Sequence, residues 1–316
     1  MIQNSAAIPV DKILTDPRYI WMLKNIFDSS SLERMDSKVR LHHALGSPRS
    51  SAAACINVLG YLSKHPKELM KFLNSFNLEV DEVVKFPTGS ELGGEVYNDQ
   101  GYVVFEWIGP GKSPIYEGNG GGRGWKRTSI DAFILARISG RLTQLLIEWK
   151  FTESYEDEKS RPEQLQRFAG IRGNERLRRY SSVLAKLRWR KKLPFSFEDD
   201  VGFSLSDFGY EPFYQLLRQT LLGIMTDDCQ LTDRLKIEDH RILHLSHSKN
   251  ENLDILKPIH LSKCPGFADK VGMQFHEAWS ELLSVREKER FMSGYWDTRI
   301  DTFKNDDLNE FLRERY

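Results

Sequence analysis

Asp131, Glu148 and Lys150 have the types and spacing of a site for metal-assisted hydrolysis. Residues 127–138 and 141–151 are rich in β-branched and aromatic types, and Ser139-Gly140 between them suits a two-residue turn. In a hairpin closed by that turn Asp131 stands opposite Glu148, and directly opposed residues share a face with Cβ atoms about 4.5–5.5 Å apart. Lys150, two residues past Glu148, projects from the same face. The flanking residues are apolar, Ile130, Ala132, Phe133 and Ile134 on one strand and Leu145, Leu146, Ile147 and Trp149 on the other, so both faces of the hairpin are expected to be buried. Opposed acids in such a setting repel and are costly to keep ionised. A divalent cation removes the conflict: Mg²⁺ binds one or two carboxylates, keeps several waters and leaves positions for a phosphate and an attacking water. The lysine then orients that water or offsets charge on the phosphate. On geometry alone a second reading stays open, in which Lys150 salt-bridges Asp131 and Glu148 in a stable hairpin.

The elements that must hold this hairpin are partly legible. Residues 11–45 mix charged and apolar types at helical spacing, and helices are expected over 52–62 and from Pro66 to Phe76. Strands follow at 80–86 and 102–108. Glu106 in the second is the first choice for a further acid, ahead of Glu91, Glu95 and Glu68. Seven glycines between 109 and 124 mark a loop whose spacing matches neither a P-loop nor a dinucleotide fingerprint. After the hairpin come an acidic cluster at 153–158, a basic helical stretch from Arg161 to Lys192, a helix near 212–226, a strand near 241–246 and a helix near 272–292. The histidines at 240, 244 and 247 have helical spacing, but Ile242, Leu243 and Leu245 read as strand, which argues against a shared zinc face.

Composition narrows the class. The 316 residues carry 45 Lys+Arg against 45 Asp+Glu, so net charge is zero and no global field selects a partner. A hydrophobic fraction of 40% plus 22 glycines is that of a folded domain, not a disordered chain. The three cysteines, 55, 229 and 264, are too scattered for a disulfide framework or a four-ligand zinc site, and a reducing compartment fits. Met1–Ser5 lacks the start of a signal peptide and no apolar run reaches membrane-spanning length, so the expectation is a cytoplasmic protein with no membrane partner. No Gly-x-Ser-x-Gly elbow or Cys/His setting supports acyl transfer.

The elements Thr128-Ser129-Ile130-Asp131 and Ile147-Glu148-Trp149-Lys150 resemble the PD-(D/E)xK, or restriction-endonuclease-like, nuclease superfamily. Ile130 stands where the motif is usually written with proline. The resemblance implies an α/β fold: a core with a mixed central sheet flanked by helices, here carrying additional N- and C-terminal helices. It divides the chain into an N-terminal helical extension (1–50), a nuclease-like core (51–192) and a C-terminal helical and strand elaboration packed on it (193–316). It also implies that Asp131 and Glu148 bind Mg²⁺, with Mn²⁺ as a substitute, and that Lys150 assists phosphodiester hydrolysis. Gln164 resembles a glutamine that several of these nucleases place near the site, and Pro212–Gln219 is similar to a C-terminal element of some bacterial relatives. DNA is expected ahead of RNA, in a bacterial restriction or anti-phage role, with a homodimer or a regulatory defence-system partner.

Between Arg161 and Lys192 there are 11 basic residues against two acids. Beside such a site this stripe is expected to hold the nucleic-acid backbone through Arg161, Arg167, Arg172, Arg176, Arg178, Arg179, Lys186 and Arg188, with Phe168, Tyr180 and Trp189 available for stacking or packing. The alternative from a different class is a non-catalytic nucleic-acid-binding or scaffold module that keeps the fold.

Overall fold

The computed structural model describes residues 7–35, 39–87, 101–109, 113–117, 127–153, 166–196, 204–256 and 265–316. The helices are α1 (Val10–Thr15), α2 (Ser30–Glu33), α3 (Ser51–Leu62), α4 (Pro66–Asn74), α5 (Gly170–Trp189), α6 (Phe213–Thr226), α7 (Glu251–Asp254), α8 (Phe275–Leu282), α9 (Val285–Lys288) and α10 (Asp306–Arg315). The strands are β1 (Ile8–Pro9), β2 (Arg40–Leu41), β3 (Val80–Val84), β4 (Val104–Trp107), β5 (Ile130–Ile138), β6 (Arg141–Trp149), β7 (Gln230–Thr232), β8 (Leu235–Lys236), β9 (Asp239–Ser246) and β10 (Phe291–Tyr295).

A six-stranded mixed sheet runs β10-β9-β6-β5-β3, with β4 paired to the same edge of β5 as β3. The β5-β6 hairpin is antiparallel, with partners from Ala132↔Ile147 to Ile138↔Arg141, the register expected from a Ser139-Gly140 turn. Both turn residues have positive φ, 51° and 74°, as a type I′ turn requires. Nothing lies within 4 Å of a Cβ built on Gly140, so a side chain there meets only backbone strain. Gly140→Ala is therefore expected to destabilise by about 1–2 kcal/mol in urea titration, with the denaturant slope unchanged.

Strands β6 and β9 are parallel, as are β9 and β10. Parallel neighbours need crossovers, and these place helices over the sheet. Two cores result. On one face Ala132, Ile134, Leu145, Ile147 and Leu243 pack with α3, α4 and α10. On the other Phe133, Leu135, Leu142, Leu146 and Ile242 pack with α5, α6 and α8. Both faces of the hairpin are buried, which explains its unbroken apolar pattern.

The expected helix over 272–292 is instead α8, the short α9 and strand β10. Ser284 caps α9 by accepting from Glu287 N–H, and the segment after it turns to extend the sheet beside β9. Gly294 in β10 permits that approach: a Cβ there would meet the Phe76 ring at 2.7 Å. Among the described residues no helix is long and apolar enough to cross a membrane.

Candidate active site

The β5-β6 ladder stops at Ala132↔Ile147. Beyond it the Asp131 side chain takes the place of a ladder acceptor: its Oδ2 accepts from the backbone N–H of Trp149 at 2.8 Å. The neighbouring strand positions Glu148 and Lys150, which are 2% and 5% exposed. Lys150 Nζ lies 2.5 Å from Glu148 Oε1, and Gln219 Nε2, from the middle of α6, donates to Glu148 Oε2. The lysine's backbone is fixed from both sides, since its N–H donates to Leu245 O at 2.8 Å and its carbonyl accepts from Trp296 Nε1 at 3.0 Å. Helix α3, capped by Ser50, meets the same end of the hairpin, where Ser51 Oγ donates to Trp149 O at 2.8 Å.

Glu106 joins from β4. Its φ of 52° is unusual for a side-chain-bearing residue within a strand, and a conformation of that kind persists only where the surroundings enforce it. Its Oε2 accepts from Ser129 Oγ at 2.5 Å. Glu106 and Asp131 both line a cavity of about 20 Å³ with Cys55, Ile56 and Phe105, room for about one water-sized sphere. Burial, together with the Glu148 and Glu106 carboxylates, pushes the Asp131 carboxyl well above its ordinary range against the opposing pull of Lys150. Burial likewise raises the Cys55 thiol, so that residue is no nucleophile.

Three carboxylates face one ammonium here, and two neighbouring acceptors lack partners among the described residues. They are the buried Gln219 Oε1 and His244 Nε2. His244 is the register partner of Glu148 on β9, and burial depresses its pKa to about 3, so its imidazole is neutral. Carboxylate and amide oxygens brought to one end of the hairpin are the ligand type that a hard divalent cation takes. The three carboxylates are not pre-gathered around one point: the described His/Cys/Asp/Glu cluster with ligand atoms within 4.8 Å of one another is Asp227, Asp239 and His240. That cluster sits at the start of β9, and its acids are taken by arginines. Arg241 and Arg141 lie 2.8 and 3.2 Å from Asp239 Oδ2, Arg290 pairs with Asp239 Oδ1, and Arg286 lies 3.7 Å from Asp227. Such a ring of guanidiniums repels a metal ion. The three histidines accordingly part company: His240 joins the arginine network, His244 lies beside Glu148, and His247 Nε2 meets Tyr316 O at 3.0 Å.

A second polar knot holds the helices over the site. Glu117 Oε1 accepts from Thr128 Oγ1 at 2.8 Å and from Tyr180 Oη on α5 at 2.9 Å, while Arg218 Nε on α6 donates to Thr128 Oγ1 at 2.9 Å. Arg218 is the neighbour of Gln219, so this knot sets the α6 position that brings the amide to Glu148. Sequence reading gave no role at this site to Gln219, named only within Pro212–Gln219, to His244, named only in the rejected zinc face, or to Glu117. The available signal for Gln219 was an amide set among Leu216, Leu217, Leu221 and Leu222 in an otherwise largely apolar helix stretch.

Of the residues expected to bind nucleic acid, Arg172, Arg178 and Arg188 are exposed on α5. The others are engaged within the protein: Arg167 with Glu211 at 3.1 Å, Arg176 with Arg167 O at 2.7 Å, Arg179 with Glu175 at 2.9 Å and Lys186 over the Tyr116 ring at 5.8 Å. Phe168 and Tyr180 are core residues. Glu68 accepts from Tyr61 Oη and from Lys304 N–H, which accounts for it structurally. Glu91, Glu95, Arg161 and Gln164 lie outside the described residues.

A family model described as "Restriction Endonuclease associating with ARP" matches residues 11–316. No curated protein and no solved structure matches the chain.

Proposed function

The chain belongs to this restriction-endonuclease family, and from that premise we propose that it is a Mg²⁺-dependent endonuclease cutting DNA, with Asp131, Glu148, Lys150 and Glu106 at its centre. The observation that carries the proposal is the meeting of Asp131, Glu148 and Lys150 at one end of the β5-β6 hairpin. Asp131 and Glu148 would hold the ion and Glu106 would complete the acid set. When bound, the ion supplies Lewis acidity toward the phosphate and a more acidic water.

The chain's own groups do the rest. The Trp149 N–H fixes the Asp131 carboxylate, and Gln219 fixes that of Glu148. Lys150 supplies the positive charge that orients the water and offsets charge developing on the phosphate. Arg172, Arg178 and Arg188 offer backbone contacts, so binding weakens steeply with salt. The name of the family points to an ARP partner, and a homodimer is the other assembly we propose. The setting would be bacterial restriction or anti-phage defence in the cytoplasm.

The Lys150–Glu148 ion pair also suits a module that binds without cutting. Calorimetric titration of Mg²⁺ and Mn²⁺ into the wild type and the Asp131→Ala, Glu148→Ala double variant, with plasmid cleavage on the same samples, separates the readings. A nuclease loses both metal binding and cleavage in the variant. A wild type that binds no metal, with or without DNA, and cuts nothing is the scaffold.

A further inference from the structure

Trp189 is the one aromatic of the basic segment's three candidates that stays outside, 84% exposed at the last position of α5. Arg188 and Lys191, which bracket it, line a groove of about 810 Å³. The rest of the described lining is Leu193, Phe195 and Val285 with two serines, and no acid is among these described residues. Val285 is itself 79% exposed. Cations near a helix C-terminus are explained by the helix dipole alone, but the dipole gives no reason for an exposed indole next in sequence to Arg188, at the edge of a groove with an apolar floor that the indole itself does not line. A duplex backbone gives no reason either, because a duplex keeps its base faces stacked and offers phosphates outward. An unpaired nucleotide presents both a flat apolar face and an anionic phosphate, and stacking on aromatics beside cations is how proteins hold such strands.

The groove is separate from the carboxylate site. Lys192 lies 3.8 Å from Asp228, whose N–H donates to Ile237 O at 2.9 Å. The next residue, Glu238, accepts from Leu142 N–H at 2.8 Å, near the start of β6. Glu148 is six residues further along that strand, roughly 20 Å away.

We propose that this groove is a subsite for unpaired nucleotides, one base stacking on Trp189 with its phosphates against Arg188 and Lys191. The preferred substrate is then DNA that carries a single-stranded segment. This rests on the nuclease reading above.

The test is fluorescence anisotropy of the full chain in chelator, with a labelled oligothymidylate and a blunt duplex of equal length. Trp189→Ala is expected to weaken oligothymidylate binding by about 5- to 100-fold and to leave the duplex unchanged, with most of the loss restored in Trp189→Phe. Because the indole is exposed, folding is not at risk. Equal losses on both probes, or no loss on either, would overturn the subsite and leave the groove to a protein partner. If the wild type meanwhile cuts plasmid, only the subsite has failed. A wild type that binds neither probe and cuts nothing removes the nuclease reading as well.

Discussion

Asp131→Asn is expected to cut plasmid cleavage at saturating Mg²⁺ by on the order of 10³-fold or more, and at neutral pH to raise the melting temperature of the metal-free protein. The two effects share one cause. Asp131 shares with Glu106 a cavity that holds little water, the Glu148 carboxylate adds to the negative charge around it, and Lys150 is already engaged by Glu148 at 2.5 Å. Burial and the neighbouring carboxylates raise the folded-state pKa above the ordinary value of about 3.9. A carboxylic acid with a raised folded pKa favours the fold while protonated, and this contribution is lost as pH rises from about 4 through the raised value. At neutral pH the buried carboxyl therefore weighs against folding, and the amide relieves it. A gain of about 1–2 kcal/mol corresponds to roughly 2–8 °C in melting temperature for a chain above 150 residues. Mg²⁺ should raise the melting temperature of the wild type and leave the variant unmoved. Scanning calorimetry with and without Mg²⁺ reads all of this. A variant that melts lower than wild type, with no cleavage to lose, would identify Asp131 as a structural ion-pair member.

The hairpin was legible because everything that defines it is local. Two apolar runs and a Ser-Gly turn lie within about two dozen consecutive residues, and the two-residue turn between the runs fixes their register. The placement of Asp131 near Glu148 follows from that register. What the register could not show is that the ladder ends one pair short of Asp131, so that its carboxylate turns onto the Trp149 amide. Gln219 and His244 were out of reach for a different reason. They lie 71 and 96 positions beyond Glu148, brought back by a crossover whose path is set by packing against the sheet. The basic stretch misled in a third way. Counting charges treats every arginine alike, whereas Arg167, Arg176 and Arg179 have internal partners and only part of the stripe faces outward. Strand β10 was hidden because Phe291–Tyr295 is short and follows residues with helical periodicity.

Glu287→Gln is expected to destabilise the protein by about 3 kcal/mol near pH 6 and to flatten the decline of wild-type stability above that pH. His240 is wholly buried between two acids, its Nδ1 3.0 Å from Asp227 Oδ1 and its Nε2 2.8 Å from Glu287 Oε2. Asp227 ends α6, Glu287 lies on α9 and His240 on β9, so one imidazole joins three elements. Burial opposes its charge, but the two hydrogen-bonded carboxylates outweigh burial and raise its pKa above the ordinary 6.5. A raised histidine contributes stability that is complete below about 6.5 and is lost as pH rises through the folded value. Glu287 and Asp239 act at the other end. Both are held below their ordinary values, despite burial, by His240 and Arg290 in one case and by Arg241 and Arg290 in the other. Their contributions are present above about pH 4 and lost on further acidification. Stability attributable to the network is thus greatest between roughly pH 4.5 and 6.5, and then falls with a limiting slope of about 1.4 kcal/mol per pH unit while one proton is released. Glu287→Gln keeps the size of the side chain but removes one of the two charges that hold the proton, leaving Arg290 short of a counterion 3.0 Å away. Urea denaturation from pH 5 to 9 measures both slopes. Parallel curves for wild type and variant, or a wild type with no decline above pH 6.5, would mean that His240 is neutral and that the three elements are joined by neutral hydrogen bonds.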